Sequence, residues 1–211
     1  PKELRALLTH YLDLARFQSA TDADSITSAE LDRLAAATPA QARTLLETEG
    51  YFSAEVRVTR EADAQGVPLL RVHVEPGPRA LVEQVTLEVT GELHDAIESN
   101  QAAALEELAS LRRQWPLAPG QPFRQSLWTD AKNRSIARLR AEGYPAATWS
   151  RTQAQVDART QRVRLQLVAE SGPLFHLGAL HIEGLQRYDE SDVRRLATFS
   201  RTRLVTGACI Q

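Results

Sequence analysis

Two periodicities alternate along this chain. Leu4, Leu7, Leu8, Tyr11 and Leu12 recur at helical spacing, and Ile97, Ala104, Leu108, Leu111 and Trp115 do so further on. Each set predicts one amphipathic helix with a core-facing stripe. Period two governs Val56 and Val58, then Leu70, Val72 and Val74, with Arg57, Thr59, Arg71 and His73 on the opposite face. That alternation predicts two strands, joined by a turn around Gln65-Gly66, that bury one face of a sheet. Val163, Leu165 and Leu167 predict a later strand of the same kind, with a more weakly patterned partner between Ala147 and Val156. Thr27-Ser28-Ala29-Glu30 and Thr38-Pro39-Ala40-Gln41 read as capping boxes, the second with proline at the first helical position, so two helix starts are expected there. Gly50 and Gly143 are expected to close helices as left-handed caps.

The same order of elements occurs twice. Leu46-Glu47-Thr48-Glu49-Gly50-Tyr51-Phe52 aligns with Leu139-Arg140-Ala141-Glu142-Gly143-Tyr144-Pro145 at an offset of 93 residues. Val72-His73-Val74-Glu75-Pro76-Gly77-Pro78 aligns with Leu167-Val168-Ala169-Glu170-Ser171-Gly172-Pro173 at 95. Alternating runs follow both, ending at Gly91 and Gly184. Two separated blocks in one order at nearly one offset indicate an internal duplication. Each unit reads strand, helix, helix, strand, strand, an α+β module of about 75 to 95 residues with a three-stranded mixed sheet and two helices on one face. The expected boundaries are 1–76, 77–171 and 172–211. The first unit opens directly in a helix, so its leading strand is expected before residue 1. The third is expected to hold a strand from Leu174 to Ile182 and a helix from Ser191 to Thr198. Gly77, Gly91, Gly172 and Gly184 are assigned to turns.

Composition narrows the function classes. With 43% hydrophobic and 25% charged residues over 211 positions the chain can build cores. A net charge of -2 supplies no basic field for nucleic acid. The lone cysteine, Cys209, rules out a disulfide framework within the chain. The absence of methionine points to a segment of a longer or processed protein.

Candidate chemistry is sparse. His10, His73, His94, His176 and His181 lack metal-ligand spacing, and no Gly-x-Ser-x-Gly, Gly-x-Gly-x-x-Gly or Walker-type loop occurs. Glu106-Glu107 and Asp189-Glu190 read as a solvated helix face and a helix start; Arg112-Arg113 and Arg194-Arg195 lie near helix ends, where cations meet the dipole favourably. Trp115 and Trp128 are expected in the core, and Trp149 is the better candidate for exposure. No catalytic residue, metal or cofactor is expected.

Module order, module size and the recurrent Gly-Tyr helix end resemble the POTRA module of outer-membrane assembly factors. The succession Leu117-x-Pro119-Gly120-x-Pro122-Phe123, Trp128-x-x-Ala131-Lys132, Glu142-Gly143-Tyr144-Pro145, Ser171-Gly172-Pro173-x-Phe175-x-x-Gly178 and Ile182-x-Gly184-Leu185-x-Arg187-Tyr188 looks like the periplasmic region of the TamA family. Residues 201–211 depart from that pattern. The resemblance implies a periplasmic segment of an outer-membrane protein, followed by a membrane barrel in the same chain. It implies a TamB-like inner-membrane-anchored partner and unfolded outer-membrane protein substrates, with no nucleic acid. Alternatives are the POTRA region of a general barrel-assembly factor or a two-partner-secretion transporter and, from another class, a free periplasmic enzyme or solute-binding domain. The resemblance places the open sheet edge on the strand after each Gly-Tyr. The partner-binding residues are then Phe52, Ala54, Val56, Val58 and Arg60 in the first unit, with Ala147, Trp149 and Arg151 in the second. Main-chain pairing there would accept extended partners of many sequences.

Overall fold

A computed structural model describes residues 2–17, 27–62, 68–176 and 189. The elements are α1 (Lys2–Tyr11), a short 3-10 helix (Asp13–Phe17), α2 (Ser28–Thr48), β1 (Glu55–Ala62), β2 (Pro68–Glu75), β3 (Leu81–Thr90), α3 (Glu92–Glu98), α4 (Ala102–Arg113), α5 (Gln125–Ala141), β4 (Thr148–Asp157) and β5 (Arg162–Glu170). The fold is α+β, as the periodicities predict. The Gln65-Gly66 turn, Gly184, Cys209 and the Ser191 to Thr198 helix lie outside the described residues.

The chain forms two compact units. The first gathers Pro1–Gln84, Leu117–Trp128 and Gln155–Arg164. Its β1 and β2 form a two-stranded antiparallel sheet in the register Val56↔Val74 and Val58↔Val72. Leu4, Leu8 and Leu12 join Leu46, Ala54 and Val56 in one buried cluster, with Tyr51, Val72 and Val74 partly buried against it. Burying a side chain such as Leu46 completely is worth about 2 to 3 kcal/mol.

Two helix expectations are corrected here. Thr27 does cap α2, accepting from the Glu30 N–H at 3.2 Å. Thr38-Pro39, however, starts no second helix; α2 runs straight through it. Leu34, Thr38, Ala42 and Leu46, four residues apart, make one buried stripe, and the Thr38 hydroxyl donates to the Leu34 carbonyl at 2.8 Å instead of capping. Burying that stripe outweighs the local cap and the bond that proline removes. The stripe from Ile97 to Trp115 is not one helix either. It breaks between α3 and α4, where Asn100 takes φ 55°. The second repeat therefore carries three helices.

The second unit gathers Val85–Pro116, Thr129–Ala154 and Leu165–Gln211. Leu87, Val89, Leu93, Leu111, Trp115, Leu139, Leu165 and Leu167 are buried in it. Strands β3, β4 and β5 form one sheet in the order β3-β5-β4. The Leu81 N–H donates to Gln161 O, and the Ser171 N–H to Thr90 O, at 3.0 Å each, so β3 and β5 run the same way. Along β5 the buried side chains keep strict alternation, Val163, Leu165, Leu167 and Ala169. Along β3 they slip from Val82 to Leu87 and Val89. Leu81 and Thr90 both turn backbone groups to β5, although an odd number of positions separates them, so β3 contains a bulge between Val82 and Leu87.

Gly50 and Gly120 have nearly the same φ, 88° and 86°, but different surroundings. A Cβ on Gly50 would meet the Phe123 carbonyl oxygen, whereas one on Gly120 meets nothing within 4 Å. Gly120→Ala is therefore expected to lose about 1 kcal/mol from backbone strain alone. Gly50→Ala adds overpacking and is expected to lose about 3 kcal/mol. Urea denaturation of both variants checks this, and equal losses would contradict it.

Candidate strand-addition surface

The sequence repeat is also a repeat of backbone geometry. At the end of α2, Gly50 N–H donates to Glu47 O at 2.9 Å and Tyr51 N–H to Leu46 O at 3.0 Å. At the end of α5, Gly143 N–H donates to Arg140 O at 3.5 Å and Tyr144 N–H to Leu139 O at 3.1 Å. Both are Schellman closures with a left-handed glycine, at φ 88° and 105°. Each glycine carbonyl then accepts one later N–H at 2.8 Å, from Ala80 onto Gly50 and from Phe175 onto Gly143. Gly77 lies against Ser53 and Gly172 against Ala146, again at matching positions.

A second repeated segment does more than turn the chain. Ser171, fully buried, accepts the Leu93 N–H on its hydroxyl at 3.1 Å and donates to Gly172 O at 2.8 Å. Gly91, at the N-terminal cap of α3, has no side chain to do this, so a serine 78 positions after Leu93 supplies the cap. A Cβ on Gly91 would collide with Glu170 and Ser171. Glu170 accepts from the Thr90 hydroxyl at 2.6 Å and the Gly172 N–H at 3.2 Å, which hold its carboxyl below the ordinary glutamate range. The Ser-Gly-Pro motif reads in sequence as a turn; its capping role has no local signal, because cap and capped helix meet only in the fold.

Three outer strand edges differ in what guards them. The outer edge of β3 is closed: Val82 N–H donates to Gln121 O at 2.9 Å, Gly120 N–H to Val82 O at 2.7 Å and Phe123 N–H to Ala80 O at 2.9 Å. Further along, Arg112 donates to the Leu87 carbonyl at 3.1 Å. β1 is rich in charged residues, which pair along the strand, with α2 and across to β2. Glu55 pairs with Arg57 at 2.9 Å, Arg60 with Asp32 at 2.7 Å, and Glu61 with Arg71 at 3.0 Å. β4, the terminal strand of its sheet, reads Thr-Trp-Ser-Arg-Thr-Gln-Ala-Gln-Val-Asp, with neither proline nor glycine. Its Asp157 is occupied in the following turn, accepting from Arg159 and Thr160 N–H groups at 2.9 and 3.3 Å. Arg151 is the one remaining charge along ten residues. Charges, prolines and covering loops are what usually protect an edge, and among the described residues β4 has almost none of them.

The predicted binding residues sit as follows. Ala54, Val56 and Ala147 are buried, and Phe52, Val58 and Trp149 are half-buried; Arg60 and Arg151 are exposed. Phe52, Ala54 and Ala147 precede the strands rather than lying in them. Phe52 packs against Phe123 with ring centroids 6.0 Å apart and the rings tilted by 40°, and the Ala147 carbonyl accepts from Arg140 at 3.0 Å. Trp149, expected to be exposed, instead donates its indole N–H to the Lys132 carbonyl of α5 at 3.2 Å, which fixes the start of β4 against that helix.

No family model matches the chain, and neither does any curated protein. The similar solved structures include POTRA domains. BamA POTRA3-5 from Haemophilus influenzae is 19% identical, with 87% of this chain and 66% of that one covered at a TM-score of 0.40. BamA from Haemophilus ducreyi lacking POTRA domains 1-3 is 20% identical, with 84% and 27% covered at 0.38. POTRA1-2 of the periplasmic domain of Omp85 from Anabaena is 16% identical, with 83% and 88% covered at 0.36. The chain thus spans less than two thirds of either BamA structure.

Ser171→Ala leaves a buried N–H without its acceptor and is expected to lower stability by about 1 to 2 kcal/mol in denaturant titrations. Because the folded pKa of Glu170 is depressed, the stability it contributes is complete above the ordinary glutamate value of 4.5 and is lost as pH falls through the folded value. Glu170→Gln should therefore flatten the acid limb of the stability profile. An unchanged acid limb would show that Glu170 is not linked to folding.

Proposed function

We propose that this chain is the periplasmic, protein-binding region of an outer-membrane β-barrel assembly factor of the TamA kind. Its modules span 1–76, 77–171 and 172–211. The observation that carries the reading is the β4 edge, ten residues long and nearly unguarded among the described residues, on a repeat whose ordered motifs resemble POTRA modules. An extended segment can add to β4 by main-chain hydrogen bonds, which depend little on its sequence, so one surface serves many unfolded barrel precursors or the terminal strand of a partner. In this reading the tandem modules dock a TamB-like inner-membrane-anchored protein and pass substrate strands to the barrel of the full-length chain. The arrangement offers recognition and no reaction. A general barrel-assembly factor or a two-partner-secretion transporter would use the same edge, and they differ in the number of modules in the full-length protein.

The test is site-specific photo-crosslinking in the full-length protein in cells. A probe at Gln153 in β4 is expected to capture nascent outer-membrane proteins or the inner-membrane partner, while one at Arg57 in β1 captures much less. Equal capture at both positions, or none at Gln153, would overturn the assignment of β4.

A further inference from the structure

We infer that residues 117–124 are a strap that seals the outer edge of β3 and is fastened at the cap of α2. The strap belongs to the first compact unit although it lies between helices of the second repeat. Its middle pairs with β3 through the three backbone bonds to Ala80 and Val82 and the bridge Leu81↔Pro122. Its far end is held twice. Phe123, buried, packs against Phe52, and the Phe123 carbonyl occupies the space that a side chain at position 50 would fill. Arg124 reaches the Glu49 carboxylate at 3.3 Å, and Arg79 binds the same carboxylate at 3.0 Å while donating to the Glu49 carbonyl at 2.7 Å. Arg79 also lies over the Tyr51 ring, 5.2 Å from its centroid. One glutamate thus ties together the end of α2, the approach to β3 and the strap. Without the strap, the Ala80 carbonyl and both backbone groups of Val82 would be left unpaired beside an already formed sheet, which is a template for pairing with a second copy of this chain. Among the described residues, the strap leaves β4 as the open edge of that sheet.

This inference stands on geometry and does not depend on the assembly-factor reading. The test uses the whole chain with two variants, Gly120→Ala, whose added Cβ strains the strap without a clash, and Arg124→Ala, which unfastens it. Amide exchange followed by NMR is expected to accelerate at Val82 and Phe123 by roughly tenfold or more in both variants, with Leu165 and Leu167 still protected. Light scattering is expected to show dimers forming as concentration rises. If Phe123 exchange accelerates while Val82 stays protected and the chain stays monomeric, the strap does not seal the edge and the inference fails. It fails equally if neither variant changes exchange at Phe123.

Discussion

Each repeat depends on one backbone constraint: a helix must end at a residue that only glycine holds without strain. The left-handed Gly50 and Gly143 close their helices and turn their own carbonyls outward, where each accepts an N–H from the residue that begins the next stretch of chain. A side chain there is penalised by conformation and, at Gly50, by the Phe123 carbonyl as well. The following tyrosine, the strand beyond it and the approach to the next repeat are all placed from that point. Glu49, immediately before the glycine, anchors two arginines from later parts of the chain, so the same corner also carries the ionic contacts of the first unit.

Once the corners are set, the sheets are left with edges, and each is managed differently. The β3 edge is covered by backbone from residues 120–123, and β1 is lined with ion pairs. β4 carries threonine, serine and glutamine where a guarded edge would carry lysine or proline. Exposed ion pairs such as those on β1 contribute little to stability; their consequence is that desolvating them disfavours an incoming strand. The difference between β1 and β4 lies in side-chain chemistry at equivalent positions of a duplicated framework.

Much of this framework is legible without coordinates, because it rests on local rules. Left-handed glycine caps, period-two strands and the duplication at 93 to 95 residues follow from residue type and spacing, and the structure repeats them bond for bond at Gly50 and Gly143. Local rules misread α2, where Thr38-Pro39 has the form of a helix start, because a stripe of four buried positions keeps the helix intact across it. They also merged α3 and α4, because a continuous apolar stripe conceals a turn in which Asn100 leaves the helical region.

Spacing and residue type by themselves determined the class of fold, the repeat and the glycine ends of α2 and α5, since each depends on interactions within a few residues. Only the tertiary structure decided that Ser171 caps a helix 78 positions away, that residues 117–124 cover β3, and that Trp149 points inward to fix β4. Those contacts join groups far apart in the chain. Their energy depends on a close approach that packing creates, and no periodicity records it.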